Sequence, residues 1–195
     1  MALPEKLERP ILRYGILGGL SHIGREALSR VLKIQLVYRE TRQVRGAPYA
    51  LRSLLVRCES EANDQATLDE YCPDWRDRLR QGNFLICVVD EERTAGFGWG
   101  RWQRELGFTY VDSSLGLSQE IFYIYDCYTM AEHRGKGVYQ VVLTSLAKVA
   151  REHPVYVACR WNNTGSIRGI GKAGFMLDRI FVCFEVMGLR LRFNY

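Results

Sequence analysis

The sequence predicts a single domain of the α/β class in its 195 residues. Two apolar runs separated by a polar turn predict a strand hairpin at residues 83–103. A strand at residues 121–130 then leads through a glycine-rich loop into a helix, and a strand, a helix and a strand follow. Hydrophobic residues make up 47% and charged residues 25%, a globular composition that excludes a disordered chain.

Positive charge is concentrated near the N-terminus. Residues 1–47 contain nine Lys and Arg against four Asp and Glu, a net charge of +5, whereas residues 48–195 contain 18 of each. We therefore separate a basic, apolar N-terminal segment, residues 1–47, from a domain at residues 48–195. The excess of positive charge is modest, and the segment lacks interleaved aromatic and basic residues. Both observations argue against a nucleic-acid partner.

The N-terminal segment is predicted to form one or two short helices, because glycines interrupt the apolar stretch at residues 11–32. A first strand is predicted at residues 33–44. We expect the helices to pack on the domain or on a second subunit, which would make the protein a homodimer. A basic helix lying on an anionic membrane surface is a less favoured alternative. No apolar run reaches the roughly 18 residues that a membrane-spanning helix needs.

The six cysteines are scattered and form no CxxC pair: Cys58, Cys72, Cys87, Cys127, Cys159 and Cys183. Zinc-type spacing is absent, so no metal site is predicted. Most of the cysteines lie in apolar, strand-like runs, where a reduced thiol behaves as a small hydrophobic side chain. Since no signal peptide is recognised either, we expect the protein to be cytoplasmic.

Local signals define the elements before the hairpin. Pro48 suits the first turn of a helix and predicts a short helix at residues 48–58. The Asn-Asp pair before Gln65 is a candidate cap for a second helix, which runs to about Arg80. Pro73 should start or kink that helix.

Residues 105–120 are predicted to be a long connection, a kind of segment that often borders a site. In the strand at residues 121–130, simple alternation places alternate side chains on opposite faces. One face would carry Phe122, Ile124, Asp126 and Tyr128, and the other Tyr123, Tyr125, Cys127 and Thr129.

The helix at residues 140–152 is mostly apolar, which predicts burial against a sheet. Its exceptions form one polar stripe: Gln140, Thr144, Lys148 and Arg151. The remaining predicted elements are a strand at residues 154–159, a helix at residues 164–172 ended by Gly174, and a strand pair or long bent strand at residues 175–186.

The glycine-rich loop between strand and helix consists of Arg134, Gly135, Lys136 and Gly137. Its glycines let backbone N–H groups converge, and the helix start adds unpaired N–H groups and the positive end of the macrodipole. Two cationic side chains reinforce this field. The loop suits a phosphate or pyrophosphate group, although an ordinary strand-to-helix turn is the alternative for such a motif alone.

A second motif follows one helix and one strand later, with the spaced residues Asn163, Ser166, Lys172, Gly174 and Phe175. With both motifs in this order, residues 81–193 resemble the GNAT acetyltransferase superfamily, including some bacterial glycan-associated members. The resemblance implies a central mixed, mostly antiparallel sheet with one splayed strand pair and flanking helices. It also implies that residues 48–195 form an acyl-CoA-binding catalytic domain, with acetyl-CoA as the acyl-donor substrate.

The resemblance also assigns contacts with acetyl-CoA. Its pyrophosphate would bind the loop residues Arg134, Gly135, Lys136, Gly137, Val138 and Tyr139. The strand end would splay from residues 156–159 to admit the pantetheine arm, and a backbone N–H there would polarise the thioester carbonyl. That strand end comprises Tyr128, Thr129 and Met130. Asn163 and Ser166 would lie beside the arm, although Asn163 is equally well explained as a helix cap.

Two positions depart from the family pattern. The loop ends in Tyr139, where Gly or Ala is usual, so a bulky side chain would shape the pyrophosphate site or cover the cofactor. Ile170 stands where many members carry a tyrosine that protonates the departing thiolate. Another acid then serves, or CoA leaves as the thiolate or takes a proton from water, or catalysis has been lost.

The attacking amine must lose a proton, usually to a carboxylate or through a chain of waters. Asp126, the carboxylate of the central strand, is the candidate catalytic base, and a buried, unpaired carboxylate would be a stronger base than usual. A structural role, in which it binds neighbouring backbone or a Tyr hydroxyl, is an equal alternative. Glu105 and Glu120 are weaker candidates for the base. His133 is interpreted as a surface residue and not as the base.

We therefore predict an acyltransferase that moves an acetyl group from acetyl-CoA to a primary amine of a small molecule, such as an amino sugar. The amine would attack directly in a ternary complex, because no cysteine has the neighbours expected of a nucleophile. Two alternatives remain. One is a non-catalytic acyl-CoA-binding module, and the other is an acyltransferase that acts on a lipid-linked acceptor at the membrane surface or uses a longer acyl chain.

Overall fold

The computed structural model describes residues 32–41, 51–186 and 189–194. The short helices predicted within residues 11–32 therefore lie outside the described residues, apart from the last position, which begins a strand. In the described part of the chain, no helix is long and apolar enough to cross a membrane.

One eight-stranded sheet forms the centre of the described structure. Its strands are β1 (Leu32–Glu40), β2 (Arg52–Val56), β3 (Phe84–Asp90), β4 (Arg93–Phe108), β5 (Ser113–Thr129), β6 (Val155–Arg160), β7 (Phe175–Val186) and β8 (Leu189–Asn194). They lie in the order β2-β3-β4-β5-β6-β1-β7-β8. Every neighbouring pair is antiparallel except β5 and β6. The prediction of a mixed, mostly antiparallel sheet is confirmed.

The strand β1 lies inside the sheet, between β6 and β7, although it comes from the N-terminal segment. Leu36 is opposite Cys159 of β6 and Ile180 of β7. All residues from Ile34 to Tyr38 are buried, because the strand is covered on both faces. This part of the N-terminal segment therefore completes the sheet, instead of packing on a separate domain that begins at residue 48.

Residues 52–56 form a strand, and the helix predicted at residues 48–58 is wrong there. β2 pairs antiparallel with β3, with Leu54 opposite Cys87, and its last residue, Val56, is fully buried. The helix prediction depended on a single proline. Pairing with a long apolar neighbour decides the conformation of so short a segment, and local signals do not reveal it.

The segment at residues 105–120 is not an irregular connection. β4 and β5 run on through it and meet in a turn at residues 109–112; we call residues 105–120 the hairpin arm. Its apolar side chains join a buried cluster with residues from β1, β6 and β7, including Leu106, Phe108, Val111 and Phe181. The prediction failed because these partners are distant in sequence, so local patterning does not indicate that the strands continue.

Two short helices, α1 (Gln65–Tyr71) and α2 (Trp75–Arg80), replace the single helix predicted here. The break falls at Pro73, which has no backbone N–H to donate within a helix. The predicted cap is confirmed, since Asp64 Oδ1 accepts a hydrogen bond from the Thr67 N–H at 3.2 Å.

The two faces of the sheet carry different helices. Alternate residues of β3 point to each face, with Leu85 and Cys87 in the cluster under α1 and α2. Ile86 and Val88 belong to the cluster under α3 (Val138–Ala150) and α4 (Thr164–Lys172). We call these the α1–α2 face and the α3–α4 face. The bounds of α4 and β7 are those predicted from the sequence, and Gly174 between them has φ of 90°.

The helix α3 is buried against the sheet, as predicted. Two members of its predicted polar stripe, Gln140 and Thr144, are buried as well. Gln140 Nε2 donates to Lys172 O at 3.3 Å, and Thr144 Oγ1 donates to Val141 O at 3.2 Å. Backbone carbonyls therefore take the place of solvent for these side chains.

α3 lies close to β4 because three alternate residues of β4 are glycines. A Cβ atom would lie 2.7 Å from a side-chain atom at Gly96, 2.4 Å at Gly98 and 2.3 Å at Gly100. At the first two positions the atom belongs to Val138 or Val142 of α3. These glycines therefore set the distance between the helix and the sheet.

Gly98→Ala should destabilise the fold by about 1–3 kcal/mol, because the new methyl group would overlap Val142 Cγ1 and Cys127 Sγ. Gly107→Ala is the matched control, since nothing lies within 4 Å of a Cβ there. It should change the free energy of unfolding by less than about 0.5 kcal/mol. Urea denaturation measures both. Equal stability of Gly98→Ala and the wild type would show that α3 is not held at this distance.

Candidate active site

The parallel strands β5 and β6 are joined only over a short stretch. Phe122, Tyr123 and Ile124 pair with Val155, Tyr156 and Val157. Beyond these residues β5 runs on to Thr129 and β6 to Arg160, and the two strands no longer pair. They diverge and leave the predicted V-shaped gap. Within the described part of the chain, the backbone groups on the inner edges of this gap have no partner strand.

A β-bulge in β5 begins where the gap opens. Trp99 of β4 is opposite Tyr125, and Phe97 is opposite Tyr128. Between these two pairs β4 has one residue and β5 has two. Asp126 is the first of these two residues of β5, and its φ is positive, at 47°. Bulges occur next to active sites, where they redirect side chains and backbone groups.

The bulge makes the predicted alternation of faces wrong beyond Tyr125. Tyr125 and Tyr128 both pack on the α1–α2 face, whereas Cys127 packs with Ile124 on the α3–α4 face. One extra residue inverts the two-residue period of a strand. The one local cue was the residue type at position 126, since Asp is enriched among residues with positive φ.

The glycine-rich loop has a backbone conformation that suits an anion. Gly135 and Gly137 both have φ of 79°, a left-handed conformation that other residues rarely adopt. Gly137 is the N-cap of α3, so the N–H groups of the first helical turn lie next to it. Arg134 and Lys136 are exposed beside them, and the helix macrodipole adds a partial positive charge.

A groove of ≈ 850 Å³ joins this loop to the end of β5 that borders the open gap. Most of the residues assigned to acetyl-CoA from the sequence line it: Tyr128, Thr129, Arg134, Gly135, Gly137, Val138, Tyr139, Asn163 and Ser166. Met130 and Lys136 do not line it. Met130 is buried on the α1–α2 face, and its N–H donates to Ala95 O at 3.0 Å.

The groove also contains residues that were not assigned to it from the sequence: Cys127, His133, Gln140, Gly165, Arg168, Gly169 and Lys172. Arg168 and Lys172 are one helical turn apart on α4, so their spacing could have identified them. With Arg134 they give the groove a cationic lining that suits phosphate groups. His133, predicted as a surface residue, is half-buried.

Asn163 caps α4, which was one of its two predicted roles. Its Oδ1 accepts a hydrogen bond from the Ser166 N–H at 3.0 Å. The same residue borders the groove. Capping therefore fixes the side chain at the wall of the groove, and it does not remove Asn163 from the site.

Tyr139 lies in the first turn of α3 and lines the groove. Its ring packs on Gly169 of α4, where an added Cβ would come within 2.5 Å of Tyr139 Cδ1. Burial raises the pKa of Tyr139 well above its usual value, Cys127 and Cys159 act in the same direction, and a hydrogen bond with Ser166 opposes them. The side chain is therefore half-buried, with its ring against α4.

Asp126 is exposed, and the burial assumed for a strong base is not found. Its Oδ2 accepts a hydrogen bond from Arg78 Nη1 at 2.6 Å, and Arg78 Nε donates to Asp74 Oδ2 at 2.8 Å. Burial opposes the charge on Arg78, but the hydrogen bonds with Asp74 and Asp126 raise the pKa of its guanidinium overall. Arg78 therefore stays charged and links α2 to the bulge.

A second cavity, of ≈ 520 Å³, lies between α2 and the start of β3. It is lined by Asp74, Asp77, Arg78, Gln81, Gly82, Asn83, Arg101, Trp102 and Tyr125. The guanidinium carbon of Arg101 is 5.1 Å from the centre of the Tyr125 ring. Tyr125 of this cavity and Cys127 of the groove flank Asp126, so the two cavities meet β5 on either side of the bulge.

Metal-ligating side chains do not converge among the described residues. No group of three or more His, Cys, Asp and Glu residues there could hold a metal ion.

Comparisons with known proteins identify the family. The model of the acetyltransferase (GNAT) family matches residues 49–175, which is more than half of the chain. A search of curated protein sequences found no match.

Three solved structures show the same fold at low sequence identity. A GNAT-family acetyltransferase from Colwellia psychrerythraea is 17% identical with a TM-score of 0.56, over 78% of this chain and 56% of that one. A functionally unknown conserved protein from Staphylococcus epidermidis is 11% identical with a TM-score of 0.54, over 84% and 66%. A GCN5-related N-acetyltransferase from Sphaerobacter thermophilus is 15% identical with a TM-score of 0.50, over 89% and 57%. The chain thus spans less than two thirds of their length.

Arg134→Glu should weaken the binding of CoA by about 10- to 100-fold, because an anion replaces a cation beside the phosphate groups. Arg104→Glu makes the same charge reversal on β4, just before the hairpin arm, and should change the dissociation constant by less than about twofold. Isothermal titration calorimetry with CoA measures both. Unchanged affinity in Arg134→Glu would contradict the assignment of the loop to the phosphate groups.

Proposed function

Because the chain belongs to the acetyltransferase (GNAT) family, we propose that it transfers an acetyl group from acetyl-CoA to a primary amine of a small molecule. One observation carries the proposal: a groove runs from the left-handed glycine loop to the open gap between β5 and β6. These two ends match acetyl-CoA, which carries its phosphates at one end and its thioester at the end of a narrow arm.

The loop end of the groove binds the phosphates. The N–H groups in the first turn of α3 and the side chains of Arg134, Arg168 and Lys172 all favour anionic groups. The inner edge of β5 then runs alongside the pantetheine arm, whose amides hydrogen-bond to the backbone there. The thioester lies near the bulge, where a backbone N–H polarises its carbonyl oxygen.

The cysteines near the groove support direct attack by the amine over an acyl-enzyme. Burial raises the pKa of Cys127 to about 12 and the pKa of Cys159 to about 12. A thiol with such a pKa is almost entirely protonated near neutral pH and is a poor nucleophile. The amine therefore attacks the thioester while both substrates are bound.

The cavity between α2 and the start of β3 is the proposed acceptor site. It meets β5 at Tyr125, before the bulge, while the groove meets β5 at Cys127, after it. An amine held in this cavity approaches the thioester from the side of the bulge opposite to the groove that holds CoA. The lining combines carboxylates, guanidinium groups and the rings of Tyr125 and Trp102. Such a mixture suits a hydroxyl-rich ring that carries an amino group, as in an amino sugar.

Asp126 is the proposed acceptor of the amine proton. It lies between the two cavities along β5, and its carboxylate is accessible to solvent. Arg78, which lines the acceptor cavity, holds the carboxylate in place through the hydrogen bond of 2.6 Å. A carboxylate positioned in this way attracts the ammonium form of the acceptor and takes its proton directly or through water.

Incubation of the protein with labelled acetyl-CoA and a panel of amines should yield an acetylated amine and free CoA, with amino sugars among the best acceptors. Mass spectrometry and a thiol assay measure the two products. Tight CoA binding without CoA release across the panel would replace this proposal with a non-catalytic acyl-CoA-binding function. Turnover only with a lipid-linked amine in vesicles would place the acceptor at a membrane surface.

Asp126→Asn should lower kcat by about 100-fold and leave the KM for acetyl-CoA unchanged, because an amide cannot accept the proton. Asp178→Asn makes the same replacement on β7, away from both cavities, and serves as the control. Steady-state kinetics at saturating acetyl-CoA measure the effect. If kcat stays within about threefold of the wild type, the role of Asp126 is the structural ion pair with Arg78.

A further inference from the structure

Acetyl transfer also requires a proton for the sulfur that leaves with CoA, and we propose that the hydroxyl of Tyr139 supplies it. This inference rests on the proposed function, and it assigns a catalytic role to a side chain that the family pattern does not place at this position.

The gap between β5 and β6 is a poor environment for a thiolate. Burial raises the pKa of Cys127 and of Cys159, which flank it, to about 12. A CoA thiolate released between the same strands is destabilised by the same loss of solvent. A proton donor at that point therefore lowers the barrier for breaking the C–S bond.

The Tyr139 phenol is placed at that point. Tyr139 lines the groove together with Cys127 of β5 and Ser166 of α4, and its ring packs on Gly169 of α4. Burial raises the pKa of the phenol well above its usual value, and Cys127 and Cys159, on the two strands that flank the gap, act in the same direction. The phenol therefore keeps its proton at neutral pH and holds it where the sulfur departs.

Gly169 fixes the orientation of the Tyr139 ring. A Cβ at this position would lie 2.5 Å from Tyr139 Cδ1 and 3.0 Å from Cε1, so any other side chain would displace the ring. Glycine in a helix lowers helix stability relative to alanine. Gly169 lies inside α4 at the point where the Tyr139 ring makes contact. Because it has no side chain, the surface of α4 leaves room for Tyr139 to reach the gap.

Three other side chains near the gap are less suited to donate. Ile170 has no proton to give, and it is fully buried in the core. His133 belongs to the loop end of the groove, where its Nδ1 is 3.5 Å from Asp90 Oδ2. The Tyr123 ring stacks on Tyr125 with centroids 6.2 Å apart, and Tyr123 does not line the groove.

The proposed step conserves atoms and charge. The amine nitrogen attacks the thioester carbon, and the amine proton passes to Asp126 or to water. The tetrahedral intermediate breaks its C–S bond, and the electron pair left on sulfur takes the Tyr139 proton to give the CoA thiol. The Tyr139 phenolate, hydrogen-bonded to Ser166, regains a proton from solvent and Asp126 releases its proton to solvent before the next turnover. The products are the N-acetyl amide and CoA.

Tyr139→Phe keeps the ring on Gly169 and removes only the hydroxyl. It should lower kcat by about 100-fold and change the Kd of CoA by less than about twofold. Tyr110→Phe removes a hydroxyl from the hairpin arm and should retain the wild-type kcat. A kcat of Tyr139→Phe near that of an active wild-type enzyme overturns this inference and leaves the proposed function intact. An inactive wild-type enzyme refutes the proposed function and this step together.

Tyr139→Ala leaves a ring-sized space beside Gly169 and allows chemical rescue. Added phenol should raise kcat of this variant at least about tenfold, whereas toluene, which has the same shape and no hydroxyl, should not. Equal effects of phenol and toluene would show that Tyr139 only fills space, and would overturn the inference. CoA binding and thermal melts of each variant confirm that it is folded. If Tyr139→Ala does not fold, Tyr139→Phe decides the question alone.

Discussion

The site depends on the fact that β5 and β6 pair over only three residues each before they separate. β6 cannot turn back toward β5, because its other edge is paired with β1 from Tyr156 to Arg160. β5 cannot follow β6, because it stays paired with β4 as far as Thr129 and bulges at Asp126. The backbone groups left unpaired between the strands need hydrogen-bond partners. A slender ligand with amide groups along its length, such as the pantetheine arm of the proposed donor, can supply them.

One helix, α3, contributes groups to both ends of the groove. The glycines of β4 let α3 approach the sheet closely, so that its first turn begins beside the open end of β5. The backbone of that turn faces the loop, where Gly137 caps the helix. One side chain of the same turn, Tyr139, reaches Gly169 on the opposite wall. A single helix start thus contributes backbone N–H groups to the loop end of the groove and a phenol ring to its wall at Gly169.

Features encoded within a few residues could be predicted from the sequence. The loop conformation follows from Gly135 and Gly137, and the bounds of α4 follow from its cap at Asn163 and the glycine at position 174. Features that depend on distant partners could not. The hairpin arm is ordered by a cluster that includes Phe181, and the exposure of Asp126 follows from a bulge whose register is set by β4. The position of Tyr139 in the groove depends on the space at Gly169, on another helix.

The place of β1 in the sheet has a consequence for the order of folding. β1 is the first described strand of the chain, yet its partners β6 and β7 are synthesised long after it, and the ion pair between Lys33 and Glu185 spans 152 residues. Contacts between such distant segments form slowly. Until β1 pairs with β6, β6 lacks the neighbour that holds it away from β5, and its open edge can pair with other strands. The nascent protein therefore has no formed site until β1, the first described strand, is inserted between β6 and β7.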